Sequence, residues 1–220
     1  DLHLCIPERN VIEIDDGLDE DVVSFFDAFG NATHTALMWK LVGEDVLITG
    51  AGPIGCIAAA ICKYAGARRV IITDFNDYRL GLAKNLGADY TVNISRDDLG
   101  AVMKDAGLKE GFDVGLEMSG AGAAFKQMIS VMRNGGKISL LGISNEPVEL
   151  NMNDIIGKGL ALQGIYGRKM DNWHQMSYMV QGGLDLHPII THRFGYKDFQ
   201  KGFDAMNSGR SGKIVLTWSE

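Results

Sequence analysis

Only three cysteines occur in this sequence, Cys5, Cys56 and Cys62. They form no CxxC pair and no Cys/His cluster at zinc-ligand spacing, which excludes a zinc finger or ribbon built on those cysteines. Cys56 and Cys62 fall in an apolar stretch and read as small core residues with inert thiols. Nothing in their usage points to an oxidising compartment, so a cytoplasmic location is expected. Long hydrophobic runs are also missing. No apolar stretch approaches the roughly 20 residues of a membrane span, so no membrane partner is expected. Positive charge is scarce, with 21 Lys and Arg against 28 Asp and Glu and a formal net charge of −7. Without a basic run or basic helix face, nucleic acid is not an expected partner. The start, Asp1 to Glu8, lacks the basic and apolar regions of a signal peptide. It also lacks an initiator Met, so the chain is expected to be a piece of a longer protein. Internal repeats and low-complexity segments are absent.

A glycine turn is the most informative feature present. Gly50-Ala51-Gly52-Pro53-Ile54-Gly55 follows the apolar run Val46 to Thr49 and opens a helix-like stretch from Ile54 to Ile61. A second apolar run, Val70 to Thr73, then ends in Asp74. Strand, glycine turn, helix, strand and acid stand in the order a dinucleotide requires. Gly50 allows the tight turn, Gly52 lets backbone approach a pyrophosphate, and Gly55 lets the helix pack close to the strand. The helix N-terminus offers free N–H groups to phosphate. A carboxylate at Asp74 accepts from both ribose hydroxyls and repels a 2′-phosphate, which favours NAD over NADP. Arg79 is either a solvated surface arginine or a lid over the adenosine ribose.

From Val46 onward, strand-like and helix-like segments alternate. Further strands are expected at Tyr90–Ile94, Phe112–Glu117, Lys137–Leu141 and Leu160–Ile165, with Asn134-Gly135-Gly136 as the turn before Lys137. Helices are expected at Tyr78–Leu86, Asp97–Ala106 and Ala123–Met132. The pattern predicts an α/β fold, a doubly wound parallel six-stranded Rossmann sheet with helices on both faces. The ligand crevice lies at the carboxyl ends of the strands, where the glycine turn, Leu141-Gly142-Ile143 and Ile165-Tyr166 converge. The two ends stand apart from this unit. Strand-like runs at Asn10–Ile14, Ile189–Phe194 and Lys213–Trp218 need a partner sheet.

These motifs resemble the medium-chain, zinc-dependent alcohol dehydrogenase superfamily, over essentially the whole chain. The runs carrying the resemblance include Phe26-Asp27-Ala28-Phe29-Gly30-Asn31 with His34-Thr35-Ala36, then Gly43 to Gly55 and Glu110 to Gly120. Gly164-Ile165-Tyr166-Gly167-Arg168, Pro188 to Phe194 and Asp198 to Met206 complete them. The narrower runs resemble the branch that oxidises the 3-hydroxyl of L-threonine to 2-amino-3-oxobutanoate while reducing NAD. The resemblance implies L-threonine as the small-molecule substrate and NAD and zinc as cofactors. It places the zinc ligands on an absent N-terminal GroES-like β domain, so no metal ligand is assigned here. Residues 1–30 are then a remnant of that catalytic domain, 31–186 the NAD-binding domain, and 187–220 a segment returning to the catalytic domain. The chain itself is expected to bind NAD without turning over substrate.

The resemblance also makes Gly50, Gly52, Pro53, Ile54, Gly55, Asp74, Arg79, Leu141, Gly142, Ile143, Ile165 and Tyr166 the NAD contacts. Asp27 gains a role beside the zinc, in a proton relay or as an occasional ligand; its local sequence reads as a helix N-cap or solvated loop acid. His34 is read as starting a helix, and His192, beside Arg193, as an interdomain residue. His3, His174 and His187 read as solvated or satisfied histidines. Trp173 to Met179 reads as a packed amphipathic helix. A homotetramer is implied, paired through the edge strand Leu160–Ile165. Two other readings stay open, a polyol or secondary-alcohol dehydrogenase and a stand-alone NAD-binding module.

Overall fold

The structure, a computed structural model, describes residues 5–218. The reading of His3 lies outside them. Two helices come first, α1 at Glu20–Val23 and α2 at Phe26–Ala36. The alternating unit follows as β1 (Asp45–Thr49), α3 (Pro53–Tyr64), β2 (Arg69–Asp74), α4 (Asp77–Asn85), β3 (Tyr90–Asn93) and α5 (Leu99–Asp105). It continues as β4 (Phe112–Glu117), α6 (Gly122–Val131), β5 (Met132–Leu140), α7 (Met152–Lys158), β6 (Ala161–Gly164) and α8 (Met170–Gln181). The chain then runs through β7 (Ile190–Gly195), α9 (Phe199–Asn207) and β8 (Lys213–Thr217).

The six strands β1 to β6 form one parallel sheet in the order β3-β2-β1-β4-β5-β6. The predicted doubly wound topology is therefore present, with its switch point between β1 and β4. Side-chain alternation explains the continuous apolar runs, because both sheet faces are covered. Val46, Ile48, Val70, Ile72, Val114 and Leu116 pack with α2, α3, α4 and α8. Leu47, Ile71, Val92 and Ile138 pack on the other face with α5, α6 and α7. Helix α3 is buried from Gly55 through Cys62. Its small residues let it sit between the sheet and α2. The thiols of Cys56 and Cys62 are buried as predicted, and desolvation pushes each up to about 12.

Three expectations need correction. Asn10–Ile14 joins no strand ladder among the described residues; it runs over the surface beside α8. A strand requires a partner, and alternation within one segment cannot supply it. Second, β5 begins at Met132 and passes through Asn134-Gly135-Gly136, its register against β4 shifting between Phe112 and Val114. The glycines belong to an irregular strand start rather than to a separate turn. Third, His34 lies in the last turn of α2 rather than at a helix start. Helices α5, α6 and α8 are near their predicted positions, and Met176 and Met179 form part of the buried face of α8.

The terminal segments hold each other. β7 and β8 pair in parallel as a separate two-stranded sheet. Asp21 receives Arg193 at 2.6 Å, so α1 is tied to β7. His187 Nδ1 lies 2.7 Å from Asp185 and Nε2 lies 3.2 Å from Asp19, the N-cap of α1. Asp185, then Asp19, raises the imidazole above its ordinary value by stabilising its charged form. His187 in turn lowers Asp19. The imidazolium contribution is complete below a pH of about 6.5 and fades as pH rises through the higher folded value. The Asp19 contribution is present above a pH of about 3.9 and fades as pH falls through its lowered value. His187→Ala should therefore lower Tm by roughly 1–4 °C near pH 5.5, matching a half-exposed ion pair worth about 0.5–1 kcal/mol. Near pH 9 the loss should shrink to what one neutral N–H donor leaves. Calorimetry showing the same loss at both pH values would reject the charged bridge.

Candidate functional site

The glycine turn sits where β1 ends, at the switch point of the sheet. Gly50 has φ +92°, a conformation that favours glycine, and its N–H donates to Thr73 O at 2.8 Å. A Cβ on Gly55 would overlap the Gly50 carbonyl oxygen, so the turn and the start of α3 are closed on each other. A Cβ on Gly52 would meet nothing within 4 Å. Gly52 caps α3 without a side-chain hydrogen bond, and Pro53 fills the first helical position. The first turn of α3 thus faces open space with its donors uncapped by any side chain, a cradle suited to phosphate.

Asp74 closes the other side of this turn. It is buried at 7% exposure, at the end of β2. Its Oδ2 accepts from Ala51 N–H at 2.7 Å, and its Oδ1 accepts from Asn76 N–H at 2.9 Å. Asn76 caps α4 by accepting from Arg79 N–H at 3.2 Å. Arg79 lies partly buried on the first turn of α4, and its Nε is buried without a hydrogen-bond partner. The Cys56 sulfur lies 3.3 Å from Ala51 O and 3.7 Å from Arg79 O, inside the same junction.

The opposite rim depends on Glu117, which the sequence reading left without a role. It is buried at the end of β4. Its Oε1 accepts from Thr49 Oγ1 at 3.2 Å, from Ser119 N–H at 2.9 Å and Oγ at 2.5 Å, and from Gly120 N–H at 3.1 Å. Leu141 and Gly142 donate their N–H groups to the Glu117 carbonyl at 2.9 and 3.0 Å. A Cβ on Gly50 would lie 3.1 Å from Ser119 Cα, and one on Gly142 would strike Gly120. The Gly50, Ser119–Gly120 and Leu141–Gly142 turns are therefore packed together. Ile143 projects from this rim at 81% exposure, and Tyr166 at 92%. Ile165 is buried and bonded to Leu140 O at 2.8 Å, which brings the end of β6 alongside β5.

Asp27 stands away from the glycine turn, exposed on the first turn of α2. It is not the N-cap; Phe25 holds that position. Its carboxylate is paired with Arg168, whose guanidinium also lies 5.3 Å from the Trp173 ring centroid. A Cβ on Gly30 would come within 2.5 Å of Arg168 Cδ, so Gly30 gives the arginine room to cross α2. His34 Nδ1 lies 3.0 Å from Gly167 O, a second tie between α2 and this loop. Among the described residues, no group of three or more His, Cys, Asp and Glu side chains is placed to hold a metal ion. The described residues do not by themselves fit a zinc ion. His174 is exposed and lies over Tyr178, and His192 lies over Phe194, with centroid separations of 6.5 and 5.9 Å.

Comparison with known proteins agrees with this architecture. Residues 53–182 match the family described as zinc-binding dehydrogenase. An L-threonine 3-dehydrogenase from Anaeromyxobacter dehalogenans (strain 2CP-C) is 56% identical over 217 residues, covering 98% of this chain and 63% of that protein. The chain thus spans about 63% of the length of that relative. An L-idonate 5-dehydrogenase from Escherichia coli K-12 superposes with a TM-score of 0.84 at 27% identity, over 94% of this chain and 60% of its own. An alcohol dehydrogenase from Escherichia coli CFT073, solved with NADH, superposes with a TM-score of 0.88 over 97% of this chain and 64% of its own. At 22% identity the last shows a shared fold.

The closure of the turn is open to test. Gly55→Ala drives a methyl into the Gly50 carbonyl and should destabilise the chain by about 3 kcal/mol or more, the upper range for overpacking against unyielding atoms. Gly52→Ala, which meets open space, should cost less than about 1 kcal/mol. Equal denaturation midpoints for the two variants would reject the arrangement.

Proposed function

The chain belongs to the zinc-binding dehydrogenase family, and from that premise we propose that it supplies the NAD-binding half of an enzyme that oxidises L-threonine. The cofactor half of this reading is carried by Asp74. A carboxylate offers about four lone-pair sites, and backbone N–H groups use two of them here. The two that are left match the two hydroxyls of an adenosine ribose. The Arg79 Nε, buried and unpartnered, is a donor beside the same junction. Gly50, Gly52, Pro53, Ile54 and Gly55 cradle the pyrophosphate at the α3 N-terminus. Leu141, Gly142, Ile143, Ile165 and Tyr166 take the nicotinamide half across the switch point. A 2′-phosphate would meet the Asp74 charge, so NAD is preferred to NADP.

The substrate half rests on the L-threonine 3-dehydrogenase relatives. In the proposed reaction, C3 of threonine gives a hydride to the nicotinamide ring and the hydroxyl gives up its proton. The product is 2-amino-3-oxobutanoate. The protein's share is to bind, orient and exclude competing chemistry. Asp27 is assigned to the proton path, with Arg168 holding its carboxylate until a partner arrives. The zinc ligands are assigned to the part of the relatives' length that this chain does not span. Residues 1–30 and 187–220 are assigned to the same GroES-like catalytic unit. The separate β7–β8 ribbon and the exposed Phe199, Phe203 and Trp218 support that division for residues 187–220, whereas Leu18, Val22, Phe25, Phe26 and Phe29 pack into the core of the NAD-binding sheet. The edge position of β6 suits pairing with a second copy in a homotetramer. Three free cysteines suit the cytoplasm.

Two measurements test the reading. NADH absorbance should rise when L-threonine and NAD meet the zinc-loaded, full-length parent of this chain, and should stay flat with sorbitol or butanediol. A rise with those alcohols and none with threonine would move the substrate. Asp74→Ala removes charge-assisted hydrogen bonds worth roughly 1.5–3 kcal/mol each, so NAD should bind at least tenfold more weakly while NADP is less disfavoured. Calorimetric titration giving unchanged NAD affinity would remove Asp74 from the ribose site.

A further inference from the structure

Asn76 is the point at which the crevice meets the C-terminal segment. Its backbone N–H donates to Asp74 Oδ1 at 2.9 Å. Its side-chain oxygen caps α4, and its side-chain Nδ2 donates to Gly209 O at 2.9 Å. Gly209 is 133 residues away in sequence, in the turn that joins α9 to β8. With φ +70°, that glycine adopts a conformation L side chains rarely take, and a Cβ there would come within 3.0 Å of Asn76 Nδ2. The turn is shaped to lie against Asn76. Its far end is seated too. A Cβ on Gly212 would overlap Ile189 O and approach Leu82 Cδ1 of α4 to 3.2 Å. Ser211 between them is buried. The segment then enters β8 directly, where Lys213 pairs with Ile190.

We propose that Asn76 is a positioning residue that couples filling of the ribose site at Asp74 to the seating of the 208–212 turn. The inference rests on the reading of Asp74 as the ribose acid. A ribose hydroxyl bonded to Asp74 Oδ1 fixes the carboxylate that already holds the Asn76 N–H. With its backbone held, Asn76 presents Nδ2 to Gly209 O in one place. The 208–212 turn, and through it the start of β8, is then less free to open. Linkage requires the converse: a seated turn holds Asn76 and Asp74 in the geometry that binds ribose. The device lets the cofactor bias a segment that is not part of its own crevice.

The test is Asn76→Ser. Serine keeps an oxygen to cap α4, adds no charge, and is too short to reach Gly209 O. Amide hydrogen exchange is followed over residues 208–213 in the full chain, with and without NAD. Binding of NAD and of nicotinamide mononucleotide, which lacks the adenosine, is measured by titration. In the unaltered chain NAD should slow exchange in the turn by about threefold to tenfold. In N76S that protection should disappear and NAD should bind about threefold to tenfold more weakly, the scale of one neutral hydrogen bond. The mononucleotide should bind both alike. NAD-independent exchange in the unaltered chain, or equal protection in N76S, would overturn the coupling. Equal weakening of NAD and the mononucleotide would show a general structural role and overturn it as well. If the unaltered chain takes up no NAD, the ribose-acid reading fails first, and this inference with it.

Discussion

The burial of two strand-end carboxylates governs the crevice. Asp74 ends β2 and Glu117 ends β4, on either side of β1. A buried carboxylate must find donors, or its desolvation is prohibitive. Each finds them mainly in loop backbone, and in doing so fixes the loop. Asp74 holds the glycine turn by Ala51 N–H; Glu117 holds Ser119 and Gly120 and stands beneath Gly142. The three turns that define the crevice are therefore set before any ligand arrives, which lowers the ordering cost of binding.

The two acids differ in the donors they collect. Glu117 gathers two hydroxyls and two N–H groups on Oε1, while its Oε2 receives only the Gly120 N–H, at 3.2 Å. Asp74 accepts from only two N–H groups, and a buried guanidinium nitrogen without a partner lies on the helix that follows it. Both acids close apolar strands, and sequence position does not tell them apart. The donor inventory does. Each Asp74 oxygen takes one backbone N–H, whereas four donors crowd one oxygen of Glu117.

What could be read from sequence divides along the same line between local and non-local causes. The central strands announce themselves as apolar runs because both sheet faces are covered, and the Gly50–Gly55 turn carries its own geometry in its glycines. The doubly wound parallel class follows from alternation and handedness, and the strand order comes from the fold itself. By contrast, Asn10–Ile14 has the composition of a strand and no ladder, because pairing depends on a neighbour that composition does not name. The mutual pairing of β7 and β8 was hidden for the same reason. Asn134-Gly135-Gly136 misled because glycines mark an irregular strand start as readily as a turn. The role of Asn76 was not read from sequence, and its bond to Gly209 spans 133 residues and required the fold.

The Asp27 corner shows how separate sequence runs become one device. The run around Asp27 to His34 and the run Gly164 to Arg168 lie far apart in the chain, yet the structure joins them. Arg168 pairs with Asp27, lies against Gly30 where any larger residue would displace it, and sits over Trp173. His34 reaches back to Gly167 O. The exposed Asp27 carboxylate is thus held by a guanidinium rather than free in solvent. The small size of Gly30 leaves Arg168 room to make that pair. The glycine turn provides binding geometry that many dinucleotide folds share. This second corner, assembled from Asp27, Gly30, His34 and Arg168, gives structural meaning to the narrower resemblance.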